Sequence, residues 1–215
     1  MILRKKVGIS MKVVGLNGSY NREGNTYLTI TAFFEELQKE GIETELLQVG
    51  DGSIAGCTAC RGCHTAGECV VHDETFVELS DKIINADGVL LAAPVYFGTL
   101  PGQMKAVLDR FFFQSLKTGR MRHKVGATAA ILRRTGGYTT IDDLNRFVFA
   151  GEMISVGQCI IHGDKPGEIL QDTEGLAILR RNARNMAWVL KMKELTKSEL
   201  PPPPYEKRPM MNFIR

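Results

Sequence analysis

Short apolar segments alternate with amphipathic segments along most of this chain. Five apolar segments are typical of strands buried in a parallel sheet, and they cover 11–16, 43–49, 87–93, 124–132 and 153–161. Between and after them, apolar residues recur at helical spacing and predict helices over 26–39, 73–84, 102–113, 140–148 and 172–190. Because strand and helix alternate throughout, the sequence predicts an α/β fold of three layers, with a doubly wound five-stranded parallel sheet in the middle.

Three polar loops follow the carboxyl ends of predicted strands, at 18–25, 94–101 and 133–138. In doubly wound sheets, ligands bind outside these ends, at the point where the strand order reverses. The first loop suits a phosphate. The other two suit a flat ring, with backbone amides at its edge and Tyr96 or Phe97 against it. The alternative for these two aromatic residues is that they seal the core.

The segment 15–26 (GLNGSYNREGNT) joins the first strand to the first helix. A helix that starts directly after a Gly/Ser/Asn loop presents unpaired backbone N–H groups and the positive end of its dipole to one spot, which favours an anion. The segment lacks Gly-x-Gly-x-x-Gly, and no Gly-Lys-Ser/Thr follows it, so it is neither a dinucleotide fingerprint nor a Walker loop. An ordinary turn capped by Asn25 or Thr26 is the alternative.

Four of the five cysteines fall within 13 residues, at Cys57, Cys60, Cys63 and Cys69. In a reducing compartment such a cluster indicates metal binding or redox chemistry more than a disulfide framework. Cys159 lies in the fifth predicted strand, where a buried, small apolar side chain is expected.

The composition fits one soluble domain. The chain has 215 residues, of which 44% are apolar and 24% charged, and its net charge of +3 is too small to indicate a nucleic-acid surface. No apolar run approaches the roughly 20 residues that span a bilayer. The basic N-terminus lacks an apolar signal core, so we expect a cytoplasmic protein. We expect one domain over 1–195, with 1–10 as an extension, and a proline-rich tail over 196–215.

Three motifs resemble the flavodoxin-like, NAD(P)H-dependent FMN reductases: GSYNREGNT, ADGVLLAAPVYFGTLPGQMKAVLDRF and RRTGG. The resemblance extends in order over about residues 11–190. It implies a flavodoxin-like fold, bound FMN and a homodimer or homotetramer.

The resemblance also implies roles for individual residues. The FMN phosphate would be held by Ser19, Asn21, Asn25 and Thr26. The edge of the isoalloxazine ring would be lined by Pro94, Val95, Tyr96, Phe97 and Gly98. The far side would be closed by Thr135, Gly136 and Gly137, while Asp109 and Arg110 would be structural.

The cysteine spacing Cys57-x2-Cys60-x2-Cys63-x5-Cys69 resembles the compact motif of the iron–sulfur flavoprotein branch, which implies a [4Fe–4S] cluster beside FMN. It echoes the Cys-x2-Cys-x2-Cys run of bacterial ferredoxins but differs in its fourth ligand. Three alternatives stay open. Zinc could bind four thiolates, or three with His64 or His72; Cys57 and Cys60 could form a redox disulfide; or the loop could hold no cluster.

A flavoprotein of this kind uses FMN for the chemistry, so no catalytic side chain is expected. Our hypothesis is an oxidoreductase with NAD(P)H or reduced ferredoxin as the electron donor. Its acceptor would be a quinone, a nitro or azo compound, or dioxygen. The alternatives are an electron carrier with no substrate of its own and a zinc or thiol-redox protein. The sequence offers no Ser/His/Asp set and no carboxylate pair for hydrolysis.

Overall fold

The apolar runs of the sequence form the strands of a single sheet. The structure is a computed structural model, and it describes residues 11–51, 54–71 and 73–206. The strands are β1 (Lys12–Asn17), β2 (Glu43–Gln48), β3 (Gly88–Pro94), β4 (Val125–Leu132) and β5 (Ile154–His162). Within the described residues these five strands pair in parallel in the order β2-β1-β3-β4-β5. The order reverses between β1 and β3, and the predicted doubly wound sheet is confirmed.

Helices cover both faces of the sheet. They are α1 (Asn25–Lys39), α2 (Cys63–Ala66), α3 (Glu74–Asn85), α4 (Gly102–Thr118), α5 (Gly137–Ala150) and α6 (Thr173–Thr196), with a 3-10 turn at Glu168–Gln171. Because neighbouring strand residues point to opposite faces, Val13 packs into a core with α1 and α6, whereas Val14 packs into a core with α3, α4 and α5. The sheet is therefore the middle of three layers.

Three helices differ from their predicted bounds. The last, α6, was predicted to end at residue 190 and continues to Thr196. The helix predicted from Thr140 begins at Gly137, because Gly136 takes a φ of +86° and turns the chain directly into the first helical turn. Thr140 consequently lies inside α5, fully buried. The helix predicted to end at Phe113 continues to Thr118 and stops at Gly119, whose φ is +64°. The short α2 was not predicted.

The C-terminal segment follows α6 and stays in contact with the domain. Residues 201–206 have no regular structure, and the Tyr205 ring centre lies 4.8 Å from the guanidinium carbon of Arg122. The predicted extension 1–10 and the end of the tail, 207–215, lie outside the described residues. None of the helices in the described part of the chain is long and apolar enough to cross a membrane.

Candidate functional site

Four loops surround a cavity of about 280 Å³ at the carboxyl ends of β1, β3 and β4. The cavity lies where the strand order reverses, which is the usual ligand position in doubly wound sheets. Seven of the residues predicted for the site line it: Ser19, Asn21, Asn25, Thr26, Pro94, Val95 and Tyr96.

Two amide side chains at the ends of β1 and β2 hold the first loop in place. Asn17 is fully buried, and its Oδ1 accepts a hydrogen bond from the Ser19 N–H at 3.1 Å. Its Nδ2 donates to Gln48 Oε1 at 2.8 Å, and Gln48 Nε2 donates to the Ser19 carbonyl at 2.6 Å. Our sequence analysis missed this pair, although a polar residue at the end of each neighbouring strand was a signal for it.

The N-terminus of α1 opens onto the cavity without a side-chain cap. Gly24 is the N-cap residue, makes no capping hydrogen bond, and is followed by no acidic residue in the first turn. The first N–H groups of a helix have no partner within the helix, and the dipole there favours an anion. Ser19 Oγ accepts a bond from the Asn21 N–H at 3.1 Å, and a hydroxyl that accepts one bond still has its own proton to donate. This donor set fits a phosphate.

The side chains of the two predicted asparagines make hydrogen bonds within the protein. Asn21 Oδ1 accepts from the Glu23 N–H at 3.1 Å. Asn25 Nδ2 donates to the Lys165 carbonyl at 2.9 Å, and its Oδ1 accepts from the Gly167 N–H at 2.8 Å. Asn25 therefore joins α1 to the loop after β5, and its direct role toward a phosphate stays a prediction.

The loop after β5 is a fourth wall of the cavity that sequence analysis missed. Gly163, Asp164 and Pro166 line the cavity together with Arg133, whose Nε lies 3.7 Å from Asp164 Oδ2. Both members of this ion pair are well exposed, so it contributes little to stability. The signal was present, because GDKPG follows the fifth strand just as Gly- and Pro-rich loops follow the first, third and fourth.

The loop after β3 folds into a tight turn. Tyr96 and Thr99 pair through both backbone hydrogen bonds, of 3.0 and 3.2 Å, and Phe97 and Gly98 between them take φ values of +48° and +85°. The Phe97 side chain is fully exposed at the tip of the turn. Positive φ is uncommon for a bulky side chain and stores strain, which is typical of functional loops.

The loop after β4 touches this turn but lines a different cavity. A Cβ added to Gly136 would lie 2.7 Å from the Gly98 carbonyl oxygen, so the two backbones are in contact. Thr135, Gly136 and Gly137 line a neighbouring cavity of about 600 Å³, beside β5 and the start of α6. The structure thus brings these residues next to the first cavity, and their predicted role at the flavin stays a prediction.

The four clustered cysteines line one pocket against α4, together with the side chains of Arg110 and Gln114. Cys57 and Cys60 are exposed, Cys69 is half-buried and Cys63 is buried. Burial and the neighbouring thiolates of Cys69, Cys57 and Cys60 raise the pKa of the Cys63 thiol.

Strained backbone directs the cysteines to this pocket. Ala59 and Arg61, which lie between the first three cysteines, have φ values of +55° and +62°. The Ala59 N–H donates to Cys57 Sγ at 3.4 Å. Left-handed conformations cost non-glycine residues about 1 kcal/mol each, so the shape of this loop is maintained at the expense of stability.

The pocket is narrow. The space among the four cysteines is only about 20 Å³. Across 11–51, 54–71 and 73–206, no three His, Cys, Asp or Glu side chains lie close enough together to hold a metal ion. A single zinc ion would need its four sulfurs within roughly 4 Å of one another, because Zn–S bonds measure about 2.3 Å. Four thiolates are chemically suited to a zinc ion or to an iron–sulfur cluster, and which of them this loop holds stays a prediction.

Only one of the two histidines named in the zinc alternative, His64, lies among the described residues. His64 stacks on the Phe113 ring, with the two ring centres 5.2 Å apart. His72 lies outside the described residues. The fifth cysteine, Cys159, is buried as expected, and burial followed by the negative charge of Asp172 raises the pKa of its thiol to about 12.

Solved structures with this fold include flavin-binding proteins and flavodoxins. RosB, with a bound 8-demethyl-8-formylriboflavin-5′-phosphate, superposes with a TM-score of 0.72 at 18% identity and covers 96% of this chain and 94% of RosB. A flavodoxin from the domain Archaea superposes with a TM-score of 0.55 at 12% identity and covers 84% of this chain and 99% of the flavodoxin. At such identities the likeness establishes the flavodoxin-like fold alone.

Sequence comparison is more specific. Residues 11–165 match the family model for NADPH-dependent FMN reductase. An iron–sulfur flavoprotein of Methanocaldococcus jannaschii is 35% identical over 193 residues, which cover 85% of this chain and 98% of that protein. An iron–sulfur flavoprotein of Methanosarcina thermophila is 32% identical over 187 residues, with coverages of 85% and 96%. The chain therefore belongs to the family of NADPH-dependent FMN reductases, in its iron–sulfur flavoprotein branch.

Proposed function

We propose that this chain is an FMN-dependent oxidoreductase. It takes electrons from NAD(P)H or a reduced ferredoxin and passes them to a small acceptor: a quinone, a nitro or azo compound, or dioxygen. The observation that carries the proposal is the cavity at the strand reversal, onto which the uncapped start of α1 opens. Family membership supports the assignment of FMN to that cavity.

In this proposal the residues of the first loop bind the phosphate of FMN. The Ser19 and Thr26 hydroxyls and the first N–H groups of α1 donate hydrogen bonds to it. Asn17 and Gln48 keep the loop in position through their hydrogen bonds to Ser19 and to each other. Pro94, Val95 and Tyr96 bound the cavity on the side of β3 and suit the edge of the isoalloxazine ring. FMN, when bound, supplies chemistry that accepts a hydride or single electrons.

The four cysteines would hold a [4Fe–4S] cluster, which stores one electron at a time. Two relatives of this chain are named iron–sulfur flavoproteins. The pocket that the four cysteines line here supports the same role in this chain. The α4 helix starts just after the β3 loop and carries Arg110 and Gln114 to the cysteine pocket. One helix thus connects the two proposed cofactor sites.

An electron carrier with no substrate of its own is the second candidate. It is favoured by Phe97, whose fully exposed ring stands on a rigid turn beside the cavity and offers an apolar contact to a partner protein. Rapid mixing of the reduced protein with acceptors separates the two candidates. A reductase is reoxidised quickly by a quinone, a nitro or azo compound, or dioxygen, whichever donor reduced it, whereas a carrier is reoxidised quickly only by a redox protein.

The decisive experiment is an absorption spectrum with iron and zinc analysis on protein purified and reconstituted without oxygen. Flavin bands with a broad brown shoulder and about four irons per chain would support both sites. Flavin bands without iron would leave an FMN reductase whose cysteines have another role. A chain that binds no FMN even when FMN is added would overturn the proposal.

Replacing Ser19 tests the phosphate site directly. Because a hydrogen bond to a charged group contributes about 1.5–3 kcal/mol, Ser19→Ala should weaken FMN binding at least about tenfold. Thr31→Ala is the matched control, since Thr31 lies beyond the first turn of α1 and its hydroxyl donates to the Tyr27 carbonyl at 3.0 Å. Quenching of flavin fluorescence measures both affinities. Equal affinity in Ser19→Ala and the wild-type protein would contradict the assignment.

A further inference from the structure

Two side chains on one face of α4 contact the fourth cysteine. Arg110 Nε donates to Cys69 Sγ at 3.2 Å. One turn later, Gln114 Oε1 accepts from the Cys69 N–H at 2.7 Å, and Gln114 Nε2 donates to Ser80 Oγ at 3.2 Å. Because of these two hydrogen bonds, the position of Cys69 is set by α4 as well as by its own loop. Cys69 is also the cysteine whose spacing differs from the ferredoxin pattern.

The Arg110 side chain is buried, and each of its three nitrogens donates a hydrogen bond. Its side chain is 2% exposed. One terminal nitrogen donates to Asp73 Oδ2 at 2.6 Å, and the other donates to the Val71 carbonyl at 2.7 Å. Its guanidinium carbon lies 3.8 Å from the centre of the Phe76 ring. A buried arginine that is fixed on four sides cannot turn away from the sulfur.

We propose that Arg110 is a positioning residue that fixes Cys69 toward the cluster and raises the reduction potential of that cluster. The inference rests on the proposed function, namely that the cysteines hold a [4Fe–4S] cluster. Reduction adds one negative charge to the cluster and its thiolates. An N–H donor and a positive charge at a ligand sulfur stabilise the reduced form more than the oxidised form, because hydrogen bonds to sulfur and local charge set the potential of such clusters.

The geometry requires an arginine. Three nitrogens of one planar group reach a sulfur, a carboxylate and a carbonyl at the same time. Lysine has the same charge but offers a single nitrogen, so it cannot maintain all three contacts. Arg110→Gln removes the charge, and Arg110→Lys retains it while disrupting the arrangement.

The test is a redox titration of the reconstituted holoprotein, in which electron paramagnetic resonance follows the cluster and visible absorption follows FMN. We expect Arg110→Gln to shift the midpoint potential of the cluster to lower values, and Arg110→Lys to give a smaller shift in the same direction. The FMN potential should not change. Lys117→Gln is the matched control, because it removes the same charge from an exposed position of α4, and it should leave both potentials unchanged.

The iron content and the cluster potentials together distinguish a failure of the proposed function from a failure of this inference. A wild-type chain that binds no iron would overturn the proposed function and this inference together. Wild-type and variant chains that bind equal iron with equal cluster potentials would overturn this inference alone.

A second measurement applies if Arg110→Gln loses the cluster or does not fold. Pulsed electron paramagnetic resonance on protein grown with guanidinium-¹⁵N arginine keeps Arg110 intact. Arg61→Lys removes the other arginine that lines the pocket. We expect the reduced cluster to show a ¹⁵N hyperfine coupling from Arg110, and its absence would overturn the inference.

Discussion

At the scale of single residues, Phe97 occupies a costly conformation without any gain in burial. Its φ is +48° and its side chain is fully exposed. An aromatic residue in the left-handed region loses roughly 1 kcal/mol or more, and burial normally compensates for such a loss. Stability therefore does not explain this residue, whereas a contact made outside the chain at the edge of the cavity would explain it.

Replacing Phe97 should stabilise the protein. Asparagine tolerates positive φ, so Phe97→Asn is expected to raise the free energy of unfolding of the cofactor-free chain by about 1 kcal/mol. Tyr20→Asn is the control, since Tyr20 is also an exposed loop aromatic but its φ is not positive. Urea unfolding measures the free energy of unfolding of both variants. A less stable Phe97→Asn protein would show that the ring packs in a way that its exposure does not indicate.

Residue types and short spacings were predictable, and distant partners were not. The cysteine spacing and the small residues of the first loop are visible in the sequence. The bonds from Asn25 to Lys165 and Gly167, about 140 positions away, depend on how β5 and α1 come together in the fold. The contact of Arg110 with Cys69 likewise exists only because the loop after β2 packs on α4. Sequence-local patterns carry no information on such pairs.

At the scale of elements, the strands were predicted closely, whereas the ends of α4 and α6 and the start of α5 were not. A buried parallel strand is a continuous apolar run, and this signal is strong in β3 and β4. The start of α5 depended on one glycine conformation, which cannot be distinguished in sequence from a glycine in an ordinary loop. The contact that fixes Gly136, against Gly98, joins two loops that are far apart along the chain.

Among the glycines of these loops, we therefore expect Gly136 to tolerate substitution least. Its φ is +86°, and a Cβ there would lie 2.7 Å from the Gly98 backbone. Gly136→Ala is expected to lower the free energy of unfolding by about 2 kcal/mol or more, because backbone strain and a clash add together.

Gly102→Ala is a matched control for this prediction. Gly102 is the first residue of α4, and a Cβ there meets no atom within 4 Å among the described residues. It should stabilise the protein by about 0.5 kcal/mol, since alanine restricts the unfolded chain without strain. Guanidinium unfolding of both variants decides the comparison. Equal effects of the two substitutions would contradict the contact between the loops.

At the scale of the whole molecule, ion pairs make the fold sensitive to acid. The Lys12 ammonium, 2.6 Å from Glu45, lowers the pKa of that carboxyl, with a further contribution from Lys82 at 3.0 Å. Glu45 thereby connects β1, β2 and α3. The ordinary pKa of this carboxyl is 4.5, so its contribution is complete above pH 4.5 and is lost as the pH falls through the lower folded value.

Glu45→Gln should show this dependence. We expect it to lower the free energy of unfolding by about 0.5 kcal/mol at pH 7, because the pair is partly exposed to solvent. The difference from the wild-type protein should shrink below pH 4.5 and vanish once the wild-type carboxyl is protonated. Thermal unfolding at a series of pH values from about 2.5 to 7, a range that includes the titration of the Glu45 carboxyl, measures the difference. A constant difference at all pH values would mean that Glu45 acts through packing instead.

The loop that carries the four cysteines adds no strand to the sheet. It joins β2 to α3, and several of its residues between Gly56 and Val71 line a pocket against α4. In the proposed function, the iron chemistry therefore depends on this one segment and on two positions of α4, and it requires no change in the sheet that carries the proposed flavin site. The same modularity makes the segment a candidate for transplantation into a flavodoxin that lacks cysteines, provided that Arg110 and Gln114 are transferred with it.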